Sequence, residues 1–349
     1  MKKKILLLDC TLRDGGQALE DIATNSETNF KFTKQNTKKF IDQLIKSKIE
    51  ILELGSIEIS KENKSRYSVY QNIEEISKLI PKNKSFKQMH IVLFKGPDTP
   101  FEDIPSWRPG LCRGIRVIIR YSEIKKSLEF CNMLSKKGYN VFVQPMVTMR
   151  YSISELKYLI KECNRFKAYA LYIVDSYGYM TSGDILRIFK IYDKKLIKSI
   201  KIGLHAHNNM NLAFSNSLFF LEQNTKRQLI VDSTINGMGQ GAGNTQTELI
   251  TTYLNKFNNY KYKIKYILNA CEIIEKFNTN HLWGYSVKNL LPAIHKTAYK
   301  YSVSLKKKYN FKYNEIEKFL SILPDKYRHT FSSKNIKKNF KLIKKIKQK

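Results

Sequence analysis

Eight short apolar runs recur along this chain, and between successive runs lie segments whose apolar residues return at helical spacing. The runs are KILLLD at 4–9, IEILELG at 49–55, HIVLF at 90–94, IRVIIR at 115–120, NVFVQPM at 140–146, LYIVD at 171–175, IKIGLHAH at 200–207 and QLIVDSTI at 228–235. Segments such as SLEFCNMLSKKG and ISELKYLIKEC carry the 3.6-residue period between them. Strands that are apolar along their length, rather than alternating, belong in a parallel sheet covered by helices. Eight such units in about 255 residues predict an α/β fold, a (β/α)8 barrel. An open doubly wound sheet fits less well, because no GxGxxG turn follows the first run. The alternation stops near Tyr260, and the rest reads as helical and Lys-rich. The expected organisation is a catalytic barrel over 1–260, a small helical extension over 261–330 and a basic tail over 331–349.

Sixty-two Lys and Arg against 30 Asp and Glu give a formal charge of +32, which first suggests nucleic acid. The excess is spread along the whole chain and accompanies no nucleic-acid-binding motif, so no specific nucleic-acid partner is expected. The five cysteines, at 10, 112, 131, 163 and 271, are odd in number and never form CxxC, as in a reduced cytoplasmic protein. No apolar stretch is long enough to span a membrane, and a cytoplasmic location is expected.

Three stretches carry chemistry. LLLDCTLRDGGQ, from Leu6 to Gln17, ends an apolar strand in an Arg-Asp pair and two glycines, which reads as a flexible turn at the barrel mouth. Asp14 in the turn is a candidate metal ligand, whereas Asp9 within the strand is suited to structural hydrogen bonds. GLHAHNN at 203–209 closes the seventh run; residues two apart on a strand share a face, so His205 and His207 can address one cation. INGMGQGAGNTQTE at 235–248 follows the eighth run, either as a phosphate cradle or as a tight turn before a helix capped by Asn244 or Thr245. Asn244 also offers an amide oxygen to a hard cation.

LLLDCTLRDGGQ, VDSYG at 174–178, GLHAHNN and GMGQGAGNTQTE, in this order, resemble the DRE-TIM metallolyase superfamily, which includes 4-hydroxy-2-oxovalerate aldolase, hydroxymethylglutaryl-CoA lyase and the isopropylmalate and homocitrate synthases. The resemblance implies a divalent cation, Mn2+ or Mg2+ foremost and Zn2+ or Co2+ as alternatives, held by Asp14, His205, His207 and Asn244. It further implies that Arg13 stabilises an enolate oxygen and that Ser176 and Gln17 lie against a pyruvate-like 2-oxo acid. Gly16, where the synthases carry Glu, and GMGQGAGN, where they carry GxGERxGN, point to the aldolase branch rather than to an acyl-CoA-dependent synthase. Gln17 stands where bacterial aldolases carry a His base, so the base is open among Tyr285 in the WGYS segment, His90 and a metal-bound water, with Tyr285 preferred. The expected partners are a small 2-oxo acid and an aldehyde or acyl acceptor, with a homodimer through the C-terminal helices as a candidate assembly.

Overall fold

The structure, a computed structural model, describes residues 5–23, 32–58, 68–81, 88–97, 101–275 and 283–338. The eight expected strands are present: β1 Ile5–Asp9, β2 Ile51–Ile57, β3 Met89–Phe94, β4 Gly114–Ile119, β5 Asn140–Pro145, β6 Ala170–Asp175, β7 Lys201–Ala206 and β8 Leu229–Ser233. Each pairs in parallel with the next, β8 pairs with β1 from Ile5↔Leu229 to Asp9↔Ser233, and β1 closes on β2 at Leu8↔Ile51. The sheet is thus a closed (β/α)8 barrel, with a two-residue strand, Val69–Tyr70, added beside β2.

Alternation along each strand sorts its side chains between two cores. Leu6, Leu8, Ile51, Ile91, Phe142, Tyr172 and Ile230 fill the barrel interior. Their neighbours, among them Leu7, Leu52, Val92, Val143 and Ile173, face the surrounding helices. The helix Ile153–Arg165 shows why these segments pack: Leu156, Leu159, Ile160 and Cys163 form a buried stripe, and Ser152 with Glu155 forms a capping box at its start.

Past the barrel, the helix Ile264–Glu275 buries Ile267, Ala270, Cys271 and Ile274 in the same outer core as the barrel helices. A separate small core, including Leu291, Tyr301, Phe311 and Phe319, unites the helices from Val287 onward. This part reaches the barrel mouth, where the Tyr177 hydroxyl meets His329 Nδ1 at 2.6 Å. Most of the basic tail, 339–349, lies outside the described residues. Among those described, no helix is long and apolar enough to cross a membrane.

Candidate metal centre at the barrel mouth

Strand β1 does not run into a flexible turn. Thr11–Gly15 form one buried π-helical turn that continues into the helix Gly16–Ala23. The turn is fixed from both sides: the Thr11 amide donates to Asp9 Oδ1 at 3.0 Å, and the Thr11 hydroxyl accepts the Ile235 amide at 2.8 Å. Gly15 serves close packing rather than unusual dihedrals, since a Cβ there would lie 3.0 Å from Met238 Cβ. Asp9 is structural, as its place in the strand suggested, and accepts the Thr247 hydroxyl at 2.8 Å. Burial pushes its carboxyl up to about 6, against the lowering effect of the Thr11 and Thr247 hydrogen bonds.

The turn aims Asp14 at the end of β7. One ligand atom from each of Asp14, His205 and His207 lies within 4.8 Å of the others, and all three residues are buried. The two imidazole rings stand 5.0 Å apart and almost perpendicular. His205 Nδ1 meets Asp232 Oδ2 at 2.9 Å, which fixes the ring and leaves Nε2 as its ligand atom. Burial foremost pulls His207 down to about 4, so it is neutral near pH 7, the form that binds cations. Burial would raise Asp14, but the charge of Arg13, then of His207 and His205, holds it well below the usual carboxylate range. Arg13 donates to Asp14 Oδ1 at 2.5 Å, and the Asn244 amide donates to the other carboxylate oxygen.

Beneath these groups lies a charged layer whose role the strand motifs did not disclose. Glu53 of β2 accepts from Arg13 Nε at 2.9 Å and lies 3.2 Å from Arg116 Nε of β4. Arg116 donates to both oxygens of Asp232 of β8, at 2.5 and 3.2 Å, and stacks over Tyr172. One continuous chain therefore runs from Arg13 through Glu53, Arg116 and Asp232 to His205. A signal was present: IEILELG, IRVIIR and QLIVDSTI each place a charge at a position in register with the interior residues. Gln144, polar but uncharged, is in register with the interior residue Phe142; it lines the cavity, and its amide nitrogen has no hydrogen-bond partner among the described residues.

A cavity of about 320 Å3 opens above the centre, lined by Arg13, Asp14, Gln17, Ser176, His205 and His207, among others. The Ser176 hydroxyl accepts the Val147 amide at 2.9 Å, which leaves its own O–H free to donate. Val147 holds φ +55, a strained conformation for a β-branched residue, at this rim. Tyr285 is 58% exposed and does not line the cavity, although nearby Trp283 donates to the Gly239 carbonyl at 2.7 Å. His90 is the second residue of β3, and since Ile91 faces the interior, His90 faces outward, away from the mouth. In the glycine-rich loop the amides of Gly237, Met238, Gly243 and Asn244 donate to nearby carbonyls and that of Ala242 donates to Asn209 Oδ1, so these five amides are already committed within the protein. Asn244 and Thr245 do not cap the following helix, Thr247–Asn258, whose N-cap is Gln246.

The donor set fits a cation. Asn244 Oδ1 and His207 Nδ1 are buried without a hydrogen-bond partner among the described residues. Arg13 and Arg116 face three buried carboxylates, Asp14, Glu53 and Asp232, so these five side chains leave one net negative charge beside the imidazoles. Cys10, His205 and Asp232 form a second cluster of potential ligands. Burial raises the Cys10 thiol well above its ordinary value, and Asp232 is committed to Arg116, so that cluster is the poorer host.

A family profile described as HMGL-like matches residues 117–278, a span that includes His205, His207 and Asn244. Among curated proteins, the chain is similar to 4-hydroxy-2-oxovalerate aldolase from Geobacillus genomosp. 3, with 27% identity over 73% of this chain and 72% of that protein. The same enzyme from Thermomicrobium roseum is also 27% identical, over 76% of this chain and 71% of its own. Among solved structures, an N-terminal domain from Bacteroides vulgatus superposes with TM-score 0.70 at 21% identity, covering 88% of this chain and 98% of that one. The HMG-CoA lyase of Bacillus subtilis gives TM-score 0.64 at 16% identity, over 80% and 95%. Likeness at these identities shows the barrel fold.

Proposed function

We propose that this chain, similar to the HMGL-like family over residues 117–278, is a carbon–carbon lyase of the aldolase type that makes or breaks the bond next to a pyruvate-like 2-oxo acid at Asp14, His205 and His207. The observation that carries this reading is the convergence of those three ligand atoms beside the Arg13 guanidinium. Asn244 completes the ligand set through its buried Oδ1. Two imidazoles with a carboxylate and an amide oxygen suit Mn2+ or Mg2+, with Zn2+ and Co2+ as alternatives. When bound, such a cation supplies a Lewis acid for the 2-oxo and carboxylate oxygens of the substrate.

The chain's own residues do the rest. Breaking or making this bond develops negative charge on the 2-oxo oxygen, and a fixed guanidinium beside it lowers that barrier. Arg13 is held by Glu53 and Asp14, and its remaining terminal nitrogen, NH2, is buried without a partner among the described residues, so it is the donor for that oxygen. Burial works against the charge of Arg13, but Glu53 and Asp14 more than offset it, so the guanidinium stays protonated. The Ser176 hydroxyl and Gln144 amide orient the substrate carboxylate, and Gln17 lines the same cavity. Tyr285 can act as base only after a movement that brings it to the cavity.

The test is exchange of the pyruvate methyl protons in D2O, which requires no aldehyde. The native chain with Mn2+ is expected to exchange them, chelation is expected to stop exchange, and His207→Ala is expected to weaken Mn2+ binding. Full exchange after chelation, or unaltered Mn2+ affinity in the variant, would refute the assignment.

A further inference from the structure

Beside the catalytic cavity lies a second one of about 250 Å3, and the two share Arg120 and Met146 as a common wall. Its floor is formed by the loops after β4 and β5; its roof is the C-terminal helical part, through Lys326, His329 and Thr330. Every charged side chain that lines it is basic: Arg120, Arg150 and Lys326, with His329 beside them and no carboxylate. Neither Arg150 nor Lys326 forms an ion pair among the described residues. Two of these groups are held in place before any ligand arrives. The Arg150 guanidinium lies 4.2 Å over the Tyr121 ring, and His329 stacks on Tyr177 while meeting its hydroxyl at 2.6 Å. The nearest acids have other roles. Glu155 accepts the Ser152 amide at the start of its helix and the Tyr121 hydroxyl, and it feels the charge of Arg150 without lining the cavity; Glu123 pairs with Arg120 at 3.2 Å, and Asp325 is 82% exposed and 3.8 Å from His329.

A planar carboxylate is satisfied by one guanidinium fork, whereas a tetrahedral phosphoryl group takes donors from several directions. Cations on three separate segments, with Ser122 and Thr330 hydroxyls at the rim, match the second geometry. We propose that this cavity receives the phosphoryl group of an anionic aldehyde whose carbonyl carbon reaches the catalytic cavity past Arg120 and Met146. The C-terminal helical part is then a specificity element, since it supplies Lys326 and His329. The inference rests on the lyase reading above. In the addition direction, pyruvate C3 loses a proton and bonds to the aldehyde carbon, and the aldehyde oxygen gains a proton.

The experiment compares glyceraldehyde 3-phosphate with glyceraldehyde as acceptors for pyruvate, using the full chain with Mn2+. The phosphorylated aldehyde is expected to have the higher kcat/KM, by roughly 10- to 100-fold per charge-assisted contact. Arg150→Gln with Lys326→Gln is expected to collapse that ratio toward one, a readout that cancels any general loss of folded protein. A ratio near one in a native protein that exchanges the pyruvate methyl overturns the proposal, as does a ratio unchanged in the double variant. A native protein with no exchange overturns the lyase reading instead. In that case calorimetry with inorganic phosphate still decides whether the cavity binds the anion: equal affinity in native and double-variant protein overturns it.

Discussion

Replacing Asp232 with Asn probes the deepest connection in the site, because this one carboxylate bonds both Arg116 and His205. Removing one partner of a buried pair costs roughly 3–5 kcal/mol. Here the lower end applies, since Arg116 keeps Glu53 at 3.2 Å and the Asn carbonyl can still accept one guanidinium bond. A loss of about 3 kcal/mol is therefore expected in metal-free urea denaturation near neutral pH. The second effect falls on the cation. An Asn that donates its amide to His205 Nδ1 moves the ring proton to Nε2, the nitrogen needed for ligation, and loss of such a partner typically weakens metal binding about 10- to 100-fold. A cation that binds only the folded chain adds stability in proportion to RT ln(1 + [L]/Kd), so the gap between native and variant should widen when Mn2+ is present. The pH dependence has a definite sign. Burial raises Asp232, but Arg116 and His205 outweigh it and hold the carboxyl at about 2, below its unfolded value. Its contribution is therefore present above the unfolded value of about 4 and lost as pH falls toward 2, so the gap should close on acidification. An equal gap with and without Mn2+ would refute the claim that Asp232 orients a metal ligand.

Asp9 titrates with the opposite sign: its folded value of about 6 lies above the unfolded one, so its contribution is full below about pH 4 and lost as pH rises through 6. Denaturation of Asp9→Asn between pH 4 and 7 should therefore show a flatter pH profile than the native chain, by up to roughly 3 kcal/mol. Gly239→Ala would place a Cβ 2.7 Å from Asp14 Oδ2 and against the Asn244 amide, so Mn2+ affinity should fall by at least about tenfold while the barrel stays folded by circular dichroism. Unaltered Mn2+ binding in that variant would separate the glycine-rich loop from the centre.

The barrel was legible because its strands are buried on both faces, which writes each one as an unbroken apolar run. All eight runs became strands in sequence order, and the HxH pair and the Arg-Asp pair met at one mouth as their strand-end positions required. The turn after β1 was misread because two glycines suggest freedom. In fact Gly15 is needed for contact with Met238, an interaction more than 200 residues away that no local pattern discloses. The outward facing of His90 follows from strand alternation alone, once Ile91 is known to face inward. Tyr285 lay beyond such reasoning, since its exposure depends on how the segment around Trp283 meets the loop at Gly239. The second cavity was equally hidden, because it forms only where residues near 120, 150 and 326 come together.

The charged layer inside the barrel explains why the site sits where it does. Replacing a buried ion pair with well-packed apolar residues is often neutral or stabilising, so Glu53, Arg116 and Asp232 are poorly accounted for as contributors to stability. The rest of the interior, with Leu6, Ile51, Ile91, Phe142 and Ile230, shows that these strands readily pack apolar residues. What distinguishes the three charges is their ends: Glu53 grips Arg13, Asp232 grips His205, and Arg116 joins them across the barrel. Each guanidinium is thereby surrounded by carboxylates, and one negative charge is left over at the level of the imidazoles. A divalent cation turns that excess into a single positive charge, the sign that a 2-oxo acid and its developing enolate require. In the proposed lyase the network thus couples two tasks, orienting the donor to the substrate oxygen and orienting a metal ligand. A widening gap on Mn2+ addition in Asp232→Asn would be the thermodynamic mark of that coupling, which a layer retained for stability alone would not produce.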